Sequence, residues 1–236
     1  MSTKNLSENG QDLLNERAIS AVSRRKFLGY VGAGSAFLAT ASIAACNKND
    51  NNSNGGVDLG SGDVGILNYA YALEQLEAAF YVKVISSVYA GITPTEQALL
   101  TDIREHEVAH RNFFKAAITA AGATPLQDLQ VDFSTIDFGN RTSVLNAAKA
   151  FEDLGVTAYN GAGKLLTSPA YLTIAGKIVS VEARHAALIA DLISNGSFAD
   201  TTDANGLDMA RTPAQVLAIA DTYIVTKINA SNLPTS

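Results

Sequence analysis

REHEVAHRNFF (residues 104–114) and VEARHAAL (residues 181–188) each carry Glu-x-x-His, as Glu107–His110 and Glu182–His185. In a helix this spacing sets carboxylate and imidazole side by side on one face. With nine Glu and three His in the chain, roughly 0.1 such motif is expected by chance, so composition does not account for two. Around both motifs, apolar residues recur at alternating steps of three and four, which predicts amphipathic helices. One stripe is Ile103, Glu107, His110, Phe114, Ala117, Ala121, entered through Thr93-Pro94 with Thr95 as the expected cap. Another is Ile174 or Ala175, Ile178, Glu182, His185, Ile189, Leu192, ending at Asn195-Gly196.

Two further stripes precede these, one before each motif. Leu67, Ala70, Glu74, Glu77, Tyr81, Val84, Val88 form the first, and Leu145, Ala148, Glu152, Gly155, Tyr159, Ala162, Leu166 the second. Short joints at Gly91 to Pro94 and Thr167 to Pro169 imply two antiparallel hairpins. The stretch from Gly122 to Asn140 is long enough to run the length of a bundle between them. Beyond them, Pro213 to Ile228 is predicted to be one more amphipathic helix, flanking the bundle.

Glu74, Glu107, His110, Glu152, Glu182 and His185 thus lie on inner stripes, where an unpaired charge is costly. Only the two imidazoles could supply positive charge against four carboxylates, and two divalent cations would supply the missing four charges. Helical register supports one common layer. About residue 92, Glu74 lies 18 residues before the turn and Glu107 to His110 lie 15 to 18 after it. About Ser168, Glu152 lies 16 before and Glu182 to His185 lie 14 to 17 after. At ~1.5 Å per residue, the ligands of each hairpin share a level to within a turn.

The hairpins also repeat one another. Glu74-x6-Tyr81 and Glu152-x6-Tyr159 head the first helix of each, which suggests a pseudo-twofold axis through the site. The repeat pairs Glu74 with Glu152 and sets Glu77 opposite Gly155, leaving Glu77 as an auxiliary, proton-handling carboxylate. Tyr81 and Tyr159 are candidates to hydrogen-bond the ligand carboxylates, with plain core tyrosines as the alternative. Glu105 and His106 fall off the stripe and are expected on a solvated face.

The first 45 residues are not expected to be part of the fold. Ser23-Arg24-Arg25-Lys26-Phe27-Leu28 leads into a charge-free run to Ala45 that is rich in Gly, Ala and Ser, the shape of a signal peptide. The paired arginines resemble a twin-arginine export signal, an ordinary secretory signal being the alternative. Ile43-Ala44-Ala45-Cys46 matches a lipobox, making Cys46 the expected lipidation site, and NKNDNNSNGG (47–56) reads as a flexible tether. Of the chain's 17 Lys+Arg and 23 Asp+Glu, five and three precede Cys46, leaving 12 against 20 and a charge of −8. With no basic stripe to neutralise phosphates, a nucleic-acid partner is excluded. The expected division is a signal peptide (1–45), a tether (46–62), a four-helix bundle (63–196) and a C-terminal loop with a flanking helix (197–236). The expected location is the cell envelope, facing the periplasm or exterior, with the membrane as partner through the lipid anchor. The oligomeric state is left open, a dimer included.

The six-residue set, with LEQLEAAFY (73–81), REHEVAHRNFF and VEARHAAL, resembles the bacterial ferritin-like domain proteins, members of the ferritin-like superfamily that share ancestry with desiccation-related proteins. The resemblance runs from Asp63 to Gly196 and includes all six ligand positions. It implies an all-α, ferritin-like antiparallel four-helix bundle with one long crossover, holding a di-iron site as cofactor. The donor set itself discriminates poorly among divalent metals, so Mn or a mixed Fe/Mn pair stays open. The implied activity is that of a ferroxidase or a peroxide-reducing oxidoreductase, with iron or a small-molecule oxidant as partner. A non-catalytic envelope stress or desiccation-related protein, with a structural or vestigial metal site, is the alternative. No Cys pair is available for a rubredoxin-type centre, and Met1 and Met209 both lie outside the four helices, which argues against a Met-ligated haem.

Overall fold

The computed structural model describes residues 55–235, so the signal segment, Cys46 and most of the tether lie outside it. Four long helices carry the four stripes: α1 (Gly62–Ser86), α2 (Pro94–Ala120), α3 (Arg141–Gly163) and α4 (Pro169–Ile193). Their starts follow local chemistry. Thr93 caps α2, its hydroxyl accepting from the Glu96 N–H at 3.1 Å with Pro94 in the first turn, so the cap is Thr93 and not the expected Thr95. Asn140 caps α3 by accepting from Ser143 N–H at 3.1 Å, and Ser168-Pro169 opens α4.

Helices α1 and α2 pack as one antiparallel hairpin and α3 and α4 as the other, and the two are joined through contact between α1 and α3. The fold is all-α and bundle-like, with strand limited among the described residues to two short segments. At one end of the bundle the Asp63 carboxylate accepts from Thr167 N–H (2.7 Å) and Ser168 N–H (2.9 Å), tying the start of α1 to the α3–α4 turn. At the other end Arg141 donates to Glu96 (2.8 Å) and to the Leu192 carbonyl (2.8 Å), tying α3 to α2 and α4.

Helix α1 is more deeply placed than a single stripe requires, since every residue from Gly65 to Ala78 is buried. A helix covered all round needs a second set of partners. The crossover between α2 and α3 supplies one: Asn68 accepts from Leu126 N–H at 3.1 Å, and Gln75 accepts from Leu129 N–H at 2.8 Å. Phe80, Phe133, Phe151 and Tyr223 then stack edge-on or tilted between α1, crossover, α3 and the C-terminal segment.

The C-terminal helix, α5, spans only Pro213–Ala220, where a helix to Ile228 was expected. After it the chain turns, with Tyr223 and Ile224 N–H both donating to Ala220. Ile224 then bridges to Val131 of the crossover, and β2 (Ile228–Asn229) pairs in parallel with β1 (Val57–Asp58). The β-branched run Ile224-Val225-Thr226 favours extended backbone over another helical turn. The same pairing corrects the tether. Residues 57–58 lie in a strand and Leu59 is fully buried, so packed structure begins before Asp63. Gly161 of α3 permits a close approach by this segment, because a Cβ there would sit 1.7 Å from the Arg211 carbonyl oxygen.

Candidate metal centre

Each hairpin contributes one Glu from its first helix and one Glu-x-x-His from its second. α1 brings Glu74, α2 Glu107 and His110, α3 Glu152, and α4 Glu182 and His185. These six residues converge in two overlapping groups that could each hold a metal ion. Glu74, Glu107, His110 and Glu182 form one, and Glu107, Glu152, Glu182 and His185 the other, with ligand atoms in each within 4.8 Å of one another. Glu107 and Glu182 belong to both groups. The four carboxylates have no exposed side-chain surface, while His185 retains 5% and His110 13%.

His110 Nδ1 lies 2.9 Å from Glu182 and 3.5 Å from Glu74, and His185 Nδ1 lies 2.8 Å from Glu107 and 3.4 Å from Glu152. These pairs are close without the direction that a hydrogen bond needs. Both Nδ1 atoms, both oxygens of Glu107 and of Glu182, and one oxygen each of Glu74 and Glu152 have no hydrogen-bond partner. Buried polar atoms are rarely left so. Eight donor atoms facing one another across such distances fit a pair of cations, and the set of oxygens with two imidazoles fits iron, manganese or zinc.

The remaining oxygens of the outer carboxylates are held across the axis. Tyr81 of α1 donates to Glu152 of α3, and Tyr159 of α3 donates to Glu74 of α1. Burial, followed by the charge of the adjoining glutamate, pushes both phenols well above their ordinary range, so they stay protonated donors. Glu77 is buried beside the cluster but belongs to neither four-residue group. It occupies the room left by Gly155, where a Cβ would lie 3.0 Å from its Oε1. Burial first, then the nearby Glu182 and Glu107, push its carboxyl well above the usual carboxylate range.

The residues of the cluster also shift one another's titration. Burial alone would lower both imidazoles, but the close carboxylates outweigh it and hold His110 and His185 up at about 12. Burial would raise Glu107, but the two histidines outweigh it and hold it at about 2. Glu152 is pushed up to about 8, chiefly by burial, and Glu74 is raised for the same reason and by Glu182.

Glu105 is exposed, as its place off the stripe predicts. His106 is exposed too, yet its Nδ1 lies 2.9 Å from Nε2 of His185, the two rings meeting edge to edge and nearly parallel with centroids 5.1 Å apart. The expected solvated position of His106 therefore holds, and the contact with His185 is added to it. Its position off the α2 stripe hid this contact, because the partner lies on α4, 79 residues away.

An antiparallel bundle with two hairpins, a long crossover and a core of four carboxylates and two imidazoles places the chain among helical proteins whose facing helices can hold metal ions. The family model of the ferritin-like domain matches residues 62–195, more than half of the chain, and the protein belongs to that family. A search of curated proteins gives no match.

Proposed function

We propose that this is an exported, lipid-anchored metalloprotein whose bundle holds two iron ions and uses them to oxidise Fe(II) or to reduce peroxide or oxygen. The observation that carries the metal reading is the set of eight buried, unpartnered ligand atoms in two overlapping groups. Leaving a buried polar group unpaired costs about 1–3 kcal/mol each, and a pair of cations removes all of these costs together. Export and anchoring rest on Ser23–Leu28 and Ile43–Cys46. Among the described residues no helix is long and apolar enough to cross a membrane.

In this reading Glu74 and His110 would hold one ion and Glu152 and His185 the other, each together with Glu107 and Glu182, which belong to both groups. Bound iron would supply the electrons: H2O2 with two protons and one electron from each ion gives two waters. The chain supplies geometry and protons. Tyr81 and Tyr159 orient Glu152 and Glu74. Glu77, whose carboxyl is pushed well above the usual range by burial and by the carboxylates around it, is the group placed to exchange protons next to the cluster.

The test is elemental analysis of protein exported by its own signal, followed by anaerobic Fe(II) titration and addition of peroxide or oxygen. Two metals per chain and an Fe(III) absorbance on oxidation are expected. Absence of bound metal with all six ligands intact would overturn the reading. If Glu107→Ala and His185→Ala lower thermal stability but the parent consumes neither Fe(II) nor peroxide, the metals serve the fold alone, in an envelope stress or desiccation-related role.

A further inference from the structure

The pseudo-twofold repeat makes a specific demand that the molecule does not meet. Laying Glu107–His110 over Glu182–His185 puts His106 opposite Val181. His106 reaches across from α2 to α4, its Nδ1 2.9 Å from Nε2 of His185 and its ring nearly parallel to that of His185, at 11°. Val181 can offer His110 nothing equivalent, and among the described residues no group is hydrogen-bonded to the second nitrogen of His110. Both nitrogens of His185 are thus committed, Nδ1 toward Glu107, Glu152 and Glu182 and Nε2 toward His106. Only one nitrogen of His110 is committed.

A metal-ligating imidazole depends on what its other nitrogen does. A partner accepting the second N–H fixes the tautomer and the ring plane and makes the ligating nitrogen a better donor. Carboxylates and carbonyls usually fill that place; here the acceptor within reach is a second imidazole on the facing helix. We propose that His106 is a positioning residue for one half of the metal centre. It accepts the Nε2–H of His185, aims the Nδ1 lone pair of His185 at the carboxylates, and makes the metal position shared with Glu152 tighter than the one shared with Glu74. This rests on the reading that the cluster holds two metals, and not on any redox activity. His106 itself touches no metal in this scheme.

The decisive experiment is a Zn(II) titration of the full chain, metal-free at the start, against a chromophoric chelator, with 15N NMR of histidine-labelled protein alongside. The parent is expected to fill two unequal steps and to show a nitrogen–nitrogen coupling between His185 and His106 across the hydrogen bond. His106→Phe keeps a flat ring at the position but removes the acceptor. It should abolish the coupling and weaken the tighter step by roughly 10- to 100-fold, leaving the other step unchanged. His106→Gln, which restores an acceptor, should recover most of the loss, and Val181→His should tighten the weaker step by giving His110 a partner. Equal steps in the parent, or a His106→Phe variant that weakens both steps alike or neither, would overturn the proposal while leaving the metal centre intact. A parent that takes up no Zn(II) would overturn the two-metal reading as well. Zinc binding in unequal steps, with no oxidation of Fe(II), would sink the redox function alone and uphold the role of His106.

Discussion

The two hairpins share a ligand plan and differ around it. Each places a Glu on its first helix and a Glu-x-x-His on its second, and each lends a tyrosine to the carboxylate of the other, Tyr81 to Glu152 and Tyr159 to Glu74. The first hairpin adds two side chains that the second lacks, Glu77 opposite Gly155 and His106 opposite Val181. Its helix α1 is also wrapped on all sides, whereas α4 buries a narrow stripe of five residues. The shared parts all belong to the carboxylate and imidazole cluster or hydrogen-bond to it. The unshared parts lie beside that set, Glu77 in the room left by Gly155 and His106 against His185, contacts that a symmetric scaffold alone would make equal in the two halves.

The comparison breaks most completely at the residues both halves use. Glu107→Ala removes a carboxylate common to both four-residue groups and the counter-charge nearest His185, so both metals should be lost and elemental analysis should find less than one per chain. Glu74→Ala or Glu152→Ala should remove one metal and leave the other.

A smaller effect, still on the order of a few kcal/mol, is the dependence of stability on pH without metal. Glu152, Glu74 and Glu77 have raised folded-state values, so the stability they contribute is full below the ordinary carboxylate value and is lost as pH rises toward about 8 for Glu152. The histidines act in the same sense over a higher window, from their ordinary value up to about 12. Glu107, held at about 2, contributes fully above the ordinary carboxylate value and loses its contribution only in stronger acid. The metal-free protein should therefore melt at steadily lower temperature from pH 5 to pH 8. Metal binding needs deprotonated ligands, so the loaded protein should show the opposite slope. Parallel slopes in a pair of thermal melts would count against metal binding by these groups.

The Glu77–Gly155 asymmetry is sharpened by Gly155→Ala. The added methyl lies 3.0 Å from Glu77 Oε1 and should destabilise by about 1–3 kcal/mol, read from chemical denaturation. Adding Glu77→Gly to it should recover part of the loss, and no recovery would mean that the clash lies elsewhere. The smallest effects belong to the tyrosines. Tyr81→Phe and Tyr159→Phe should each cost about 1 kcal/mol, nearly equally, because each hydroxyl donates to one outer carboxylate. A clear inequality in the same denaturation experiment would show that the asymmetry extends to the carboxylates themselves.

Most of the candidate site is legible in the sequence, because buried charge is written into helical periodicity. Glu74, Glu107, His110, Glu152, Glu182 and His185 stand on inner stripes, and rise per residue alone brings them level. His106 was not legible: a residue off its own stripe is assigned to solvent by periodicity, and only the separation of α2 from α4 decides whether it meets another ring. Burial around α1 was hidden for a related reason. Asn68 and Gln75 look like solvent-facing polar residues on one helix, yet they serve as anchors for backbone more than 50 residues away.

By itself the sequence determined the four helices, their pairing into two hairpins, and the layer of carboxylates and imidazoles, since each follows from local spacing and a fixed helical rise. It also raised the expectation of an export signal and of Cys46 as an anchor, which lie outside the described residues. The tertiary structure alone decided what the chain does outside that plan: the closure of α5 at Ala220, the pairing of β1 with β2, and the meeting of His106 with His185. These depend on distances between elements far apart in the chain, which no local period encodes.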